Sequence, residues 1–254
     1  MTISGVAAGV PFTALPPANG EAGQLVVTWH MLDAPRTDAA FAAALPMTGV
    51  PAWRVHLGLP MCGARMVDGS MDAVVALTSG DPLRDLVDGL TRQALEEFPA
   101  ALTALRATLP VTDGPIGILG GSLGGLVALR VLTSGTPVAA AALVNPLVRA
   151  RTYFEVIGRE QPTAAREPAD ELDFVARAAE LAMPLLVVSG EHDLPPFRAD
   201  ARALADAAPN AELRTVPGLG HPLAEEPGLE RAPQRPTARV VDEALTEWFT
   251  RHLA

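Results

Sequence analysis

The stretch Gly120-Gly121-Ser122-Leu123-Gly124-Gly125 sets a serine between glycines two residues to either side. An apolar run, residues 115–119, leads into it, and a helix-like run, residues 126–132, follows. A serine at the tip of a strand–turn–helix is held in a strained backbone conformation, and the flanking glycines let the two elements approach closely. The strain lifts the hydroxyl clear of the sheet edge, where a base can take its proton. Ser122 is therefore a candidate nucleophile. A glycine-rich turn of this kind can also cradle a phosphate at a helix N-terminus. Here the P-loop spacing and its lysine are absent, and Ser122 stands where a dinucleotide motif needs its second glycine. The turn by itself weighs evenly between a nucleophile and a structural bend.

A serine nucleophile needs a base, and the base needs an orienting acid. At a strand–helix elbow the expected chain order is serine, acid, histidine. Asp193 lies just past the apolar run 184–188, in Ser189-Gly190-Glu191-His192-Asp193. His221 lies in Pro217-Gly218-Leu219-Gly220-His221-Pro222, a glycine-flexed loop after the run 212–216. Each has a plainer explanation: Asp193 as the cap of the next helix, His221 as a solvated loop side chain. Glu191 is an alternative acid closer to the strand, and His192 adjoins the acid too closely to face it. Ser122, Asp193 and His221 nevertheless all fall beyond C-terminal ends of expected parallel strands, which form one rim of a sheet. That coincidence favours a serine–histidine–aspartate constellation. An oxyanion hole would take the Leu123 backbone N–H at the start of the helix. Its second donor would come from the loop after residues 25–30, with Leu32 the candidate and Met31 close behind.

The elements that must position these residues alternate between strand-length apolar runs and longer helical patterns, the signature of βαβ units and a mostly parallel sheet. Strands are expected at residues 25–30, 53–59, 116–119, 139–144, 184–188 and 212–216. Helices are expected near residues 38–45, 86–109, 196–207 and 239–252, with another after Ser122 ending at Gly135. Phe98-Pro99 reads as an interruption of the second of these, and residues 60–82 as a long loop containing Cys62. Residues 147–182 break the rhythm and read as a small lid insertion. Within it Tyr153, Phe154, Val156 and Ile157 offer an apolar face.

A chain of 254 residues suffices for one large α/β domain over residues 1–254. Its net charge of -10, with no lysine and every basic side chain an arginine, excludes a basic stripe for nucleic acid. The single cysteine, Cys62, cannot pair within the chain and has no metal-ligand spacing around it. The first residues lack a basic leader, and no apolar run reaches membrane-spanning length. The expectation is a cytoplasmic protein, monomer or homodimer, without membrane or nucleic-acid partners.

With the three residues in place, the chain resembles the α/β-hydrolase superfamily over nearly its whole length. Gly120-Gly121-Ser122-Leu123-Gly124 resembles the nucleophile elbow, Gly190-Glu191-His192-Asp193 the acid loop and Gly220-His221 the histidine loop. The resemblance implies an α/β fold with a mostly parallel eight-stranded sheet and helices on both faces. It further implies Ser122 as nucleophile, His221 as general acid/base and Asp193 as its orienting carboxylate. One departure is His30-Met31, where the family often has His-Gly; the lost glycine constrains the oxyanion loop. Length and layout are similar to compact bacterial esterases and to hydrolase domains of the dienelactone-hydrolase and prolyl-oligopeptidase types.

The function expected from this resemblance is a carboxylesterase acting on a small ester or other acyl substrate, with no metal or organic cofactor. A thioesterase, peptidase or acyltransferase would use the same three residues. A non-catalytic binding protein of the same fold usually lacks one of them. Dehalogenase chemistry is disfavoured, because it resembles cases with a carboxylate at the elbow. Met61, Met66, Tyr153 and Phe154 are candidate pocket walls, and Arg149, Arg151 and Arg159 candidate attractors of an acidic substrate. Ordinary packing and a solvated helix face explain these residues equally well.

Overall fold

The computed structural model of the protein describes residues 2–20, 22–158 and 170–253. Among them, eight strands form one sheet: β1 (Ile3–Ala7), β2 (Val10–Leu15), β3 (Gln24–Trp29), β4 (Ala52–Leu57), β5 (Ile116–Gly121), β6 (Val138–Val144), β7 (Leu185–Gly190) and β8 (Ala211–Val216). Their order is β1-β2-β4-β3-β5-β6-β7-β8. The β1–β2 and β2–β4 pairs are antiparallel and the other pairs parallel. The helices are α1 (Asp38–Ala44), α2 (Asp72–Ala76), α3 (Gly89–Thr108), α4 (Leu123–Leu132), α5 (Ala150–Val156), α6 (Pro195–Ala207) and α7 (Pro236–His252). This is the expected α/β-hydrolase architecture.

The period of two along each central strand divides the core into two layers. Leu25, Val27 and Trp29 of β3, with Ala141 and Leu143 of β6, pack among side chains of α3, α4 and α6. Val26, Ala140 and Ala142 turn to the other face, against Phe41 of α1 and Val241, Leu245 and Phe249 of α7. Both faces of the parallel strands are thus covered, so each strand reads as a continuous apolar run.

Three features depart from the sequence expectations. The N-terminal hairpin β1–β2 was not foreseen; Ala8 and Gly9, both at positive φ, form its two-residue turn. Residues 60–82 contain α2 and a single 3-10 turn, and a π-helical turn (Pro82–Asp88) leads directly into α3. Pro99 does not interrupt α3. It faces solvent and forfeits one backbone hydrogen bond. The adjacent Phe98 is buried edge-on against Trp29, ring centroids 5.2 Å apart. That packing holds the helix through the proline.

The elbow between β5 and α4 is the tightest point of the fold. Ser122 has φ 47 and ψ -117, a conformation costly for a residue with a Cβ. A Cβ on Gly120 would lie 2.1 Å from the Gly124 carbonyl oxygen, and one on Gly124 would lie 2.4 Å from the carbonyl oxygens of Trp29 and His30. These glycines let α4 start directly against the ends of β5 and β3. Substituting Gly124→Ala is expected to lower unfolding stability by about 3 kcal/mol or more in urea denaturation; an unchanged midpoint would contradict this packing.

Candidate active site

Ser122, Asp193 and His221 come from three loops at the C-terminal rim of the sheet, and the structure brings them into one hydrogen-bonded chain. His221 Nε2 lies 2.9 Å from Ser122 Oγ, and His221 Nδ1 lies 2.6 Å from Asp193 Oδ1. The Asp193 carboxylate is buried and also accepts from the Leu194 N–H at 2.7 Å. With Nδ1–H donated to Asp193, Nε2 is left to accept the Ser122 hydroxyl proton. Phe197 of α6 packs edge-on against the imidazole, centroids 4.7 Å apart, and restricts its rotation. Glu191, the alternative acid, is exposed and accepts instead from the Gly218 N–H. His192 is exposed as well.

Two groups at this centre were not read from the sequence. Asn145, fully buried at the end of β6, donates from Nδ2 to the carbonyls of Gly220 (2.8 Å) and His221 (3.0 Å). Its Oδ1 accepts from the Gly190 N–H at 2.7 Å. One side chain therefore ties the histidine loop to the start of the acid loop. An asparagine directly after a buried strand, before Pro146, was the available signal. The second is Asp33, whose Oδ2 lies 3.4 Å from His221 Nε2. It follows Leu32 in the loop already assigned to this rim, but its orientation was not legible.

The two carboxylates govern the charge of His221. Burial opposes the imidazolium, yet hydrogen bonds and charge from Asp193 and Asp33 outweigh it and push the pKa up to about 9. The folded-state value exceeds the free value of 6.5, so this pairing stabilises the fold fully below that pH. The contribution is lost as pH rises through 9. The Asp33 carboxyl is itself held below its usual range: burial opposes this, but the hydrogen bond and charge of His221 and the charge of Arg36 prevail.

The loop after β3 solves the His30-Met31 departure in a specific way. The Met31 side chain turns into the core, where a Cβ on Gly121 would meet its Cγ at 2.9 Å. The missing Cβ at Gly121 thus provides the room that glycine at 31 would have given. His30 is buried, and burial pulls its pKa down to about 4, so the ring is neutral. Its Nε2 accepts from the Leu59 N–H at 3.0 Å, so Nδ1 carries the proton and donates to the Met31 carbonyl at 2.7 Å. In a trans peptide the Leu32 N–H points opposite that carbonyl. Arg36 then donates to the Leu32 carbonyl and fixes the next peptide. Leu123 opens α4, where the first N–H groups have no intrahelical acceptor.

Ser122, Leu123, Leu32 and His221 line one cavity of about 460 Å³. Its walls are apolar: Val74 and Val75 of α2, Leu86 and Val87 of the π-helical turn, and Val156 with Ile157 at the end of α5. Tyr153 lines it as expected, but Met61 and Met66 do not; Met71 does. Phe154 is buried in the core. Arg149 pairs with Asp173 and Asp200, and Arg151 with Asp173, so these charges bind the protein to itself. Arg159 lies outside the described residues. Cys62 is buried, and burial pushes its thiol up to about 12, which leaves no thiolate to compete with Ser122.

Residues 83–254, more than half of the chain, match the prolyl oligopeptidase family. The chain belongs to the prolyl oligopeptidase family. Its membership and fold place it among the serine hydrolases of the α/β-hydrolase superfamily. No curated protein matches the chain. Among solved structures it is similar to the Thermus thermophilus protein TT1662, with TM-score 0.66 and 18% identity over 98% of both chains. An esterase domain from a Rhodothermus marinus protein superposes with TM-score 0.63 and 15% identity, covering 100% of this chain and 99% of that one. The Pyrococcus horikoshii acylaminoacyl peptidase gives TM-score 0.66 and 16% identity, with all of this chain matching 41% of that one. Among the described residues, no helix is long and apolar enough to cross a membrane.

Two outcomes test this geometry. Asn145→Ala is expected to lower stability by about 2 kcal/mol or more, since the buried Gly190 N–H and the half-buried carbonyls of Gly220 and His221 lose their partner. The His221 imidazole, followed by NMR, is expected to titrate near pH 9 and to move down in Asp33→Asn. An unchanged titration would remove Asp33 from the charge balance.

Proposed function

We propose that the protein is a carboxylesterase that cleaves small esters by acyl transfer from Ser122 to water. The observation that carries this reading is the continuous chain from Asp193 through His221 to Ser122, opening on an apolar cavity. Ser122 Oγ gives its proton to His221 Nε2 and attacks the ester carbonyl. The developing oxyanion is held by the N–H groups of Leu123 and Leu32, the latter favoured over Met31 because Leu32 lines the cavity. Asp193 stabilises the imidazolium, which returns the proton to the leaving alcohol. Water then follows the same path, with His221 as base, and releases the acid. Residues 147–182, of which 159–169 lie outside the described residues, act as a small lid, for which the cavity-lining Tyr153, Val156 and Ile157 give support, and the chain functions as a single domain.

Family membership favours a second reading, in which the same atoms cleave a peptide bond. The two differ in leaving group: an amine must be protonated as it departs, whereas a phenolate needs little help. Paired p-nitrophenyl esters and p-nitroanilides of one acyl group separate them, with about tenfold or more faster ester turnover expected beyond the intrinsic difference in reactivity.

Ser122→Ala is expected to lower ester turnover by about 10³-fold or more, and a fluorophosphonate should label wild type at Ser122 alone. Residual turnover equal to wild type would move the nucleophile elsewhere. Because the free imidazole is the base, kcat/KM should rise with pH and level off above about 9. A profile already flat at neutral pH would contradict the role assigned to His221.

A further inference from the structure

Asp33 has no part in the acyl-transfer steps just described, yet its carboxylate stands at their centre. Its side chain is half-exposed, lines the cavity, and places Oδ2 3.4 Å from His221 Nε2. In the base form of His221, Nδ1–H is committed to Asp193, so Nε2 presents a lone pair. A carboxylate facing that lone pair is repelled by it. The proton on His221 relieves this repulsion at rest; once His221 is the free base, the arrangement is favourable only with another positive charge between or beside the two groups. The nearby cation, Arg36, lines the same cavity and its charge helps hold the Asp33 carboxyl below its usual range, but its hydrogen bonds go elsewhere. Its Nε donates to the Pro227 carbonyl, Nη1 to the Leu32 carbonyl and Nη2 to Glu226. Other groups against His221 are Asp193, Ser122 and the uncharged Phe197 ring. Among the described residues lining the cavity, no other carboxylate is present.

We propose that Asp33 is a cation subsite, so that the preferred substrates carry an ammonium group within a few bonds of the carbonyl that Ser122 attacks. The inference rests on the reading of Ser122 as nucleophile, and it names the substrate class: an apolar acyl group bearing a nearby amine, as in an aminoacyl ester. The apolar walls take the hydrocarbon part and Asp33 takes the charge. Position fixes the spacing. Nε2 lies within hydrogen-bond reach of Ser122 Oγ, so a cation against Asp33 sits beside the reacting atoms. Such a cation has a second effect. It neutralises the charge that holds a proton on His221, and so releases the base when the right substrate arrives.

The test compares the p-nitrophenyl esters of phenylalanine and 3-phenylpropionic acid, which differ by the ammonium group. It uses wild type, Asp33→Asn and Asp33→Glu, at a pH where the amine is charged. The ratio of kcat/KM for the two esters, corrected for hydrolysis in buffer, is expected to fall about tenfold or more in Asp33→Asn. Asp33→Glu should restore part of the ratio. Calorimetric binding of 2-phenylethylammonium provides a readout without turnover, with affinity expected to drop about tenfold in Asp33→Asn. Equal ratios and equal affinities in wild type and Asp33→Asn would overturn the subsite. If neither ester turns over and no fluorophosphonate adduct forms at Ser122, the esterase reading fails. The calorimetric comparison then still decides the cation site.

Discussion

The backbone of Ser122 is the constraint on which the rest of the molecule depends. A non-glycine residue at φ 47 and ψ -117 persists only when its surroundings leave no other choice. Here Gly120 and Gly124 allow α4 to begin in contact with the ends of β5 and β3, closer than any side chain would permit. The Ser122 N–H is bound by the Val144 carbonyl and its own carbonyl accepts from the N–H groups of Gly125 and Leu147. The hydroxyl is thereby fixed at the rim before any partner reaches it. The parallel strand order then brings the acid and histidine loops to the same rim.

Electrostatics supplies the second layer of the design. The site sets one imidazole between two carboxylates, Asp193 on Nδ1 and Asp33 near Nε2. The first orients the ring and is buried; the second is half-exposed and open to the cavity. In the proposed reaction, stabilising imidazolium this strongly favours proton uptake from Ser122 but hinders His221 from resting as a free base. The proposed cationic substrate would reconcile those demands, because it would change the charge around His221 only when the cavity is filled.

The features legible in the sequence were those enforced locally. The glycine spacing around Ser122, the strand-length runs and the chain order of Asp193 and His221 each follow from steric or chemical need within a few residues. The hairpin β1–β2 is weakly encoded, because Ala8-Gly9 is a weaker turn signal than Asn-Gly and the first strand is largely exposed. Pro99 misled because its neighbour Phe98 packs against Trp29, a contact far apart in sequence. Asn145 and Asp33 were missed for the same reason. Asn145 bridges to residues 75 and 76 positions away, and Asp33 meets a histidine across the sheet rim. The loss of glycine at position 31 was visible, but its compensation by Gly121 required the two loops to be seen together.

In the proposed reaction Ser122 carries the acyl group between substrate and water. Acid quenching of the wild-type protein during turnover of a p-nitrophenyl ester, followed by peptide mass spectrometry, addresses it directly. The mass of the acyl group is expected on the peptide containing Ser122, at its hydroxyl, accumulating before steady release of product. Turnover with no acylated peptide, or with the acyl group on a different side chain, would contradict it.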